Sequence, residues 1–530
     1  MCGIFAYLNN IIDYQQLKYG FNKIRNRGPD ASYLLNFTSI YMGFHRLKIN
    51  DMSINADQPF SNGNIHLICN GEIYNFKKIK EKYDIKTQSQ SDCEVIIYLY
   101  KKFGIKKTCQ ILDGVFSFVL YDSEKQEVYC GRDPYGVRPM FIGYDNNEDI
   151  YLSSEIKGIH ELCIYIKQFK PGYFMKYNLI NKRIKVDCYH NFNYKYELIE
   201  NESTALSMIK ELFIRSVRKR LMSDRPIGCL LSGGLDSSLV ASIVNFFFNK
   251  SKSKSKSKLN TFAIGLEGAT DLKYALKVAD HIHSKHTSVI LKEEEFLNAI
   301  PEVIYAIESY DTTTVRASVG NYLISKYIKE NTDITVVYNG DGSDELGGYI
   351  YLKNAPNKNE FQNEINKLIK NIHYFDVLRS DRSMSSNWGL ETRTPFLDKE
   401  FISMYMSIQN RFKAHDRIEK HLLREAFSNT SLLPKEVLWR KKEAFSDGCS
   451  SKERSWHKII QEHVDKEISD EEFEIDKLKY KHNPPQLKES LYYRRIFNKF
   501  YPGRENVIPY YWLPNWTSEK DPSARELTNY

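Results

Sequence analysis

Cys2 stands one residue from the amino terminus of a 530-residue chain. If Met1 is removed, its thiol shares a residue with a free α-amine. Such an amine titrates at about 7.7–8.0, close enough to neutrality to take the thiol proton and later return it. Alone, Cys2 reads better as a small residue before a strand. Three further stretches add weight to chemistry. CNGEIYN (69–75) ends a strand on Asn70 and Gly71, and a side-chain amide beside a glycine N–H can hold the oxyanion of a tetrahedral intermediate. GFHRL (43–47) sets Arg46 after a short strand, where its guanidinium can clamp a carboxylate at two points. QSDCE (90–94) puts Asp92 at a helix start, either as an N-cap or as the partner of an ammonium. A carboxylate clamp with an ammonium acceptor describes a free amino acid as substrate.

A second group of residues suits phosphate. LLSGGLDSS (230–238) follows an apolar strand and opens a helix. Backbone N–H groups at Gly233, Gly234 and the helix start can wrap an anion, and the hydroxyls of Ser232, Ser237 and Ser238 add donors. The string lacks GxxxxGK[ST], which excludes a Walker-type loop. By itself a Gly/Ser turn is also an ordinary connection. YNGDGSDELGG (338–348) supplies a second glycine turn bearing Asp341 and Asp344. It fails the spacing of a calcium-binding hand, whereas Asp344 together with Asp236 suits Mg²⁺ through carboxylate oxygens.

The elements that must position these residues change character along the chain. The first half predicts short strands broken by turns: GIFAYL, IHLICNGEIYN, GVFSFVLYD, EVYCGRD and DIYLSSEI. A helical pattern over CEVIIYLYKKFG (93–104) interrupts them and stops at Gly104. This is an α+β domain with layered antiparallel sheets, expected over residues 1–190. A polar stretch (189–204) marks the boundary, and a second domain is expected over 205–530. There, continuous apolar strands (PIGCLLSGG, LNTFAIGL, ITVVYNGDGSDE) feed helices, one of them around Ala275–His283. That alternation predicts an α/β doubly wound parallel sheet, with ligands at the carboxyl ends of its strands. Beyond about Asp381 the pattern is mostly helical.

Composition narrows the class. Apolar residues make up 42% and charged residues 27%, as in soluble globular proteins. The longest apolar stretch, LVASIVNFFF (239–248), is too short to span a bilayer. GIFAYL has no basic flank or cleavage site, so no secretory signal is expected and the chain reads as cytoplasmic. The nine cysteines show no zinc or disulfide spacing. Of the net charge of +8, most traces to the five lysines of KSKSKSKSK (250–258), a solvated low-complexity insertion rather than a nucleic-acid surface.

Taken together, MCGIFA, RGPD (27–30), GFHRL, CNGEIYN, SDCE, LDGVFSFVLYD (112–122) and GRDPYGVRP (131–139) resemble the class II glutamine amidotransferases, a family of N-terminal nucleophile hydrolases. The resemblance implies that Cys2 attacks the glutamine amide and that Asn70 and Gly71 form the oxyanion hole. It further implies that Arg46, Glu72 and Asp92 hold glutamine, with Leu47, Lys48, Ile49 and Asn50 lining that site. One departure is Asn26, where many members carry His.

SGGLDSS is similar to the pyrophosphate loop of the ATP pyrophosphatases, which transfer AMP to an acceptor. That similarity implies ATP contacts at Leu230, Ser232, Gly233, Gly234, Asp236, Ser237, Ile264, Asn339 and Gly340, with Mg²⁺ on Asp236 and Asp344. An ammonia-producing domain joined to an AMP-transferring one resembles the glutamine-hydrolysing asparagine synthetases, eukaryotic-like in RIEKHLLRE (417–425) and in the tail. By that resemblance Arg316 and Lys442 neutralise phosphate charge and Asp341 serves aspartyl-AMP formation. The family usually has SGEGSDE, so Asn339 replaces Ser and Asp341 replaces Glu. The expected partners are glutamine, aspartate and ATP, without nucleic acid or membrane, and a homodimer is one assembly to test. Two other readings stay open: an amidotransferase acting on another carboxylate, and a degenerate non-enzymatic relative.

Overall fold

The computed structural model describes residues 1–192, 194, 196–251, 257–413, 418–523 and 525. They form two compact units. The first contains Met1–Phe192 with two short later segments, Met222–Arg225 and Ser385–Glu391. The second contains Asn193–Leu221, Pro226–Met384 and Thr392–Tyr530. The two returning segments are absent from the continuous ranges that the sequence suggests. Most of the Lys/Ser tract lies outside the described residues.

Twelve strands build the first unit: β1 (Gly3–Tyr7), β2 (Ala31–Asn36), β3 (Tyr41–Arg46), β4 (Phe60–Asn62), β5 (Ile65–Ile73), β6 (Gly114–Asp122), β7 (Glu127–Arg132), β8 (Phe141–Tyr144), β9 (Ile150–Ser153), β10 (Tyr165–Gln168), β11 (Tyr173–Asn178) and β12 (Ile184–Cys188). They pair as two six-stranded sheets, in the orders β10-β8-β9-β1-β3-β2 and β12-β11-β7-β6-β5-β4. The period of two along each strand decides the layers. Ile4 and Phe44 of one sheet share a core with Ile68, Val119 and Val128 of the other. Their sequence neighbours Leu67, Cys69, Phe118 and Leu120 face the opposite way, against Val95, Leu99 and Cys109 of the helix Val95–Ile111. Gly104 breaks that helix at φ +72°, where the pattern stops, and a second stretch runs on to Ile111. On the outer face of the other sheet, Phe21 of helix Tyr14–Asn22 stacks on His45.

The second unit holds a five-stranded sheet in the order β15-β14-β13-β16-β17. Its strands are β13 (Ile227–Leu230), β14 (Asn260–Leu266), β15 (Lys285–Leu291), β16 (Val336–Tyr338) and β17 (Glu391–Arg393). β13, β14, β15 and β16 pair in parallel. The chain builds outward from β13 to β15 through helices Leu235–Ser251 and Thr270–Ile282. It then crosses back through Glu293–Ile307 and Thr312–Asn331 to lay β16 on the other side of β13. The strand order therefore reverses between β13 and β16. A crevice opens at such a reversal because the loops leaving the two strands part in opposite directions. SGGLDSS leaves β13 there and NGDGSDE leaves β16. β15, KHTSVIL, is polar but for its last three residues, too short an apolar run to mark it in the sequence. Among the described residues no helix is long and apolar enough to cross a membrane.

Candidate active sites

In the first unit, β1 and β5 bring Cys2 and Asn70 together. The Cys2 backbone N–H donates to Asn70 Oδ1 at 3.1 Å. The Leu47 N–H points at Cys2 Sγ at 3.4 Å. Asn70 itself is wholly buried, and its Nδ2 donor has no acceptor in the protein. Such a donor is costly to leave unmatched in a fold, and it is what an oxyanion requires. Gly71 is needed beside it, since a Cβ there would lie 2.5 Å from Val115 O on β6. Behind the thiol, Arg27 Nε donates to Cys2 O at 2.9 Å, and Arg27 pairs with the buried Glu155 at 2.7 Å.

Burial pushes the Cys2 thiol up to about 11, because the thiolate loses its hydration. The same burial lowers the Met1 amine to about 6. The thiol thus keeps its proton until a neighbouring base takes it.

The expected glutamine residues gather near Cys2, with roles that differ in detail. Asn50 Nδ2 donates to Glu72 Oε2 at 2.7 Å and to Asp92 Oδ1 at 3.2 Å, joining the two acids. Asp92 does not cap the helix, whose N-cap is Glu94. Its carboxylate instead accepts the Ile73 N–H at 2.6 Å, and burial raises its pKa. Lys48 N–H donates to Asp30 Oδ2 at 2.8 Å, and Ile49 O accepts from Asp224 N–H at 2.9 Å. Arg46 is committed within the protein: its guanidinium meets Asp57 Oδ1 at 2.5 Å, Ser53 O at 2.7 Å and also Asp51 O. It orders the loop that carries these residues, and an open two-point clamp is not its state here.

The second unit has a cavity at the strand-order reversal. Its wall includes Leu230, Ser232, Gly234, Asp236, Ser237, Ile264, Asn339, Gly340, Asp341, Asp344 and Lys442, each expected at a nucleotide or transfer site. Gly340 allows the two loops to meet, since a Cβ there would lie 2.6 Å from the Ser237 N. Ser343 Oγ donates to Asp236 Oδ1 at 2.8 Å across the same approach.

The two acids proposed for a metal converge on one cation. Lys420 Nζ contacts Asp236 Oδ2 and lies 2.7 Å from Asp344 Oδ1, while Lys442 binds the other oxygen of Asp344. Burial opposes ionisation of Asp344, but Lys420 and Lys442 outweigh it and hold the carboxyl below the usual range. Burial pushes Asp341 up, and Arg379 at 3.2 Å offsets this only in part.

Comparison with known proteins accounts for both sites. The glutamine amidotransferase domain family matches residues 1–198, and the asparagine synthase family matches 208–367 and 353–525. A Gallus gallus protein named Asparagine synthetase [glutamine-hydrolyzing] is 43% identical, covering 100% of this chain and 99% of the relative. A Homo sapiens protein of the same name is 42% identical with the same coverage. The chain belongs to the glutamine-hydrolysing asparagine synthetases.

In this asparagine synthetase three expected residues are absent from the cavity wall, one of them the fully buried Ser238. Gly233 is not on it, and Arg316 is paired with Glu489 at 2.5 Å and Asp521 at 2.7 Å. Sequence reasoning missed Lys420 and Arg379. Lys420 lies inside the recognised RIEKHLLRE, but nothing local marks it as an active-site cation. Arg379 lies in a π-helical turn, Leu378–Arg382, without a motif, and only the fold carries it to Asp341.

Proposed function

We propose that this enzyme makes L-asparagine from L-aspartate and ATP with ammonia from L-glutamine, by way of β-aspartyl-AMP. The products are AMP, pyrophosphate and L-glutamate. Coverage carries the reading: the relatives match the whole chain, so one reaction accounts for a thiol site and a phosphate cavity in the same protein.

In the glutaminase half, the α-amine of Cys2, once freed of Met1, takes the thiol proton as Sγ attacks the glutamine amide carbon. The Asn70 Nδ2 donor and the Gly71 N–H receive the developing oxyanion. The proton passes to the leaving ammonia, and water then cleaves the thioester to release glutamate. Glu72 and Asp92 suit the substrate ammonium, with Asn50 linking them.

In the synthetase half, an aspartate β-carboxylate oxygen attacks the α-phosphorus of ATP, and the bond to pyrophosphate breaks. Ammonia then attacks the acyl carbon and AMP leaves. Ser232, Gly234 and Ser237 suit the phosphates, Ile264 the adenine, and Lys442 the negative charge that grows on the departing oxygens. Arg379 offers a cation to the aspartate carboxylate beside Asp341. Among the described residues no group of three or more metal-ligating side chains exists. Asp236 and Asp344 nevertheless fit Mg²⁺, which takes few protein carboxylates and completes its shell with phosphate and water. Bound there, it would neutralise phosphate charge. A cytoplasmic location and a homodimeric assembly belong to the same reading.

The test is purified protein supplied with glutamine, aspartate, ATP and Mg²⁺. Asparagine and pyrophosphate in equal amounts are expected. Pyrophosphate formed only with a different carboxylic acid would reassign the acceptor, and none with any acid would overturn the reading.

A further inference from the structure

The C-terminal segment reaches the nucleotide cavity. Trp512 and Pro522 both stand on its wall, with Phe445 and Tyr349. Next to Pro522, Asp521 grips Arg316 through two hydrogen bonds, Nη1 to Oδ1 at 2.7 Å and Nη2 to Oδ2 at 2.9 Å. The other edge of the same guanidinium is held by Glu489, with Nε to Oε1 at 2.8 Å. One cation therefore serves two carboxylates, and Gln461 Nε2 donates to Asp521 Oδ2 at 2.8 Å beside them.

Arg316 is not itself on the cavity wall but shares a helix face with residues that are. On helix Thr312–Asn331 it lies three residues after Thr313, one before Ala317 and four before Gly320. Thr313 and Ala317 line the cavity, and the position of Gly320 faces the cavity-lining Phe445, whose ring lies 2.8 Å from where a Cβ would stand. Positions three and four apart share one helix face. The segment is fastened to the same wall at other points. Trp512 N–H donates to Asp311 Oδ1 at 2.7 Å, at the start of that helix. Ser523 Oγ donates to Asp447 Oδ1 at 3.1 Å and Arg525 to Glu443 Oε1 at 2.6 Å, on either side of Phe445.

We propose that the segment from Trp512 to Ser523 is part of the ATP site, and that Asp521 is a positioning residue whose latch to Arg316 seats Pro522 and Trp512 against the nucleotide. The inference rests on the reading that this cavity takes ATP. Glu489 is buried and keeps Arg316 oriented, while Asp521, on the chain segment itself, supplies the fastening. Loosening it weakens ATP binding without touching the thiol site.

The experiment uses the full chain with Asp521→Asn, which keeps the shape and removes the charge. The KM for ATP in pyrophosphate formation is expected to rise about tenfold, as for loss of a charge-assisted pair. The KM for glutamine and the glutaminase rate stay unchanged. Asp521→Glu restores part of the loss, and Lys499→Ala, at an exposed position outside the segment, leaves ATP use unaltered. In the wild type, ATP slows amide hydrogen exchange over 512–523, and in Asp521→Asn it does so less. An unchanged KM for ATP in Asp521→Asn, or exchange over 512–523 indifferent to ATP, overturns the proposal. A wild type that binds ATP and protects this segment yet forms no pyrophosphate would count against the proposed reaction instead.

Discussion

The side-chain amide of Asn339 donates to Asp341 Oδ2 at 2.9 Å, while Arg379 meets Asp341 Oδ1 at 3.2 Å. The carboxylate is thus held from both sides, one neutral and one charged. Asp is one methylene shorter than Glu, and this grip fixes where its oxygens stand. Replacing Asn339 by Ala removes one hold and leaves Arg379 to pull the carboxylate toward itself. The KM for aspartate should rise about three- to tenfold in pyrophosphate assays, as for one lost hydrogen bond. Asp341→Asn should cost more, because it also leaves the half-buried Arg379 with less negative charge.

Asn70→Ala separates the two half-reactions. The thiol remains, but the buried Nδ2 donor is gone. Glutamine hydrolysis should fall about 10²–10³-fold, the usual effect of losing one oxyanion donor. Asparagine formation from added ammonium should persist. Equal loss of both activities would assign Asn70 to folding rather than catalysis.

The Cys2 thiol predicts its own pH profile. With Met1 attached, burial lifts it to about 11, so little thiolate exists at neutral pH. Only the thiolate is nucleophilic, so alkylation by iodoacetamide should climb about tenfold per pH unit without a plateau below pH ~10. Protein shown by mass spectrometry to lack Met1 should react much faster at pH 7, because the freed amine then serves as base.

His45 makes the first unit acid-sensitive. Burial lowers its pKa to about 4, although its hydrogen bond to Phe21 O favours the charged form. Between about 4 and 6.5 the unfolded chain binds the proton and the folded one does not, so stability rises with pH. Acidification from pH 6.5 to 4 should remove about 3 kcal/mol by this group alone. Urea denaturation of wild type and His45→Gln should show the slope flattened in the variant.

Much of this protein was legible as sequence because its chemistry sits in short strings. A strand followed by a glycine turn tells where a loop leaves a sheet, and SGGLDSS and NGDGSDE fall where β13 and β16 end. A nearly continuous apolar run along GVFSFVLYD marked β6 because both faces of that strand are buried in separate cores. β15 and the edge strand β12 escaped because both are short on buried positions: IKVDC alternates over only five residues and KHTSVIL buries one of seven, so neither carries a core-facing apolar run. Asp92 kept two readings for a related reason: a carboxylate before a helix also reads as a cap until the fold offers it the Ile73 N–H.

The sequence by itself marked the candidate nucleophile, the candidate oxyanion donor, the glycine turns and the order of the two domains. Each depends on residue type and on spacing within a few positions. Only the tertiary structure decided which cation faces which acid. Lys420 bridges Asp236 and Asp344, separated from it by 184 residues and 76 residues of chain respectively. Arg379 takes Asp341, and Arg316 turns to Glu489 and Asp521. Charge pairing acts through space and falls off with distance, not with sequence separation. No local pattern can encode it.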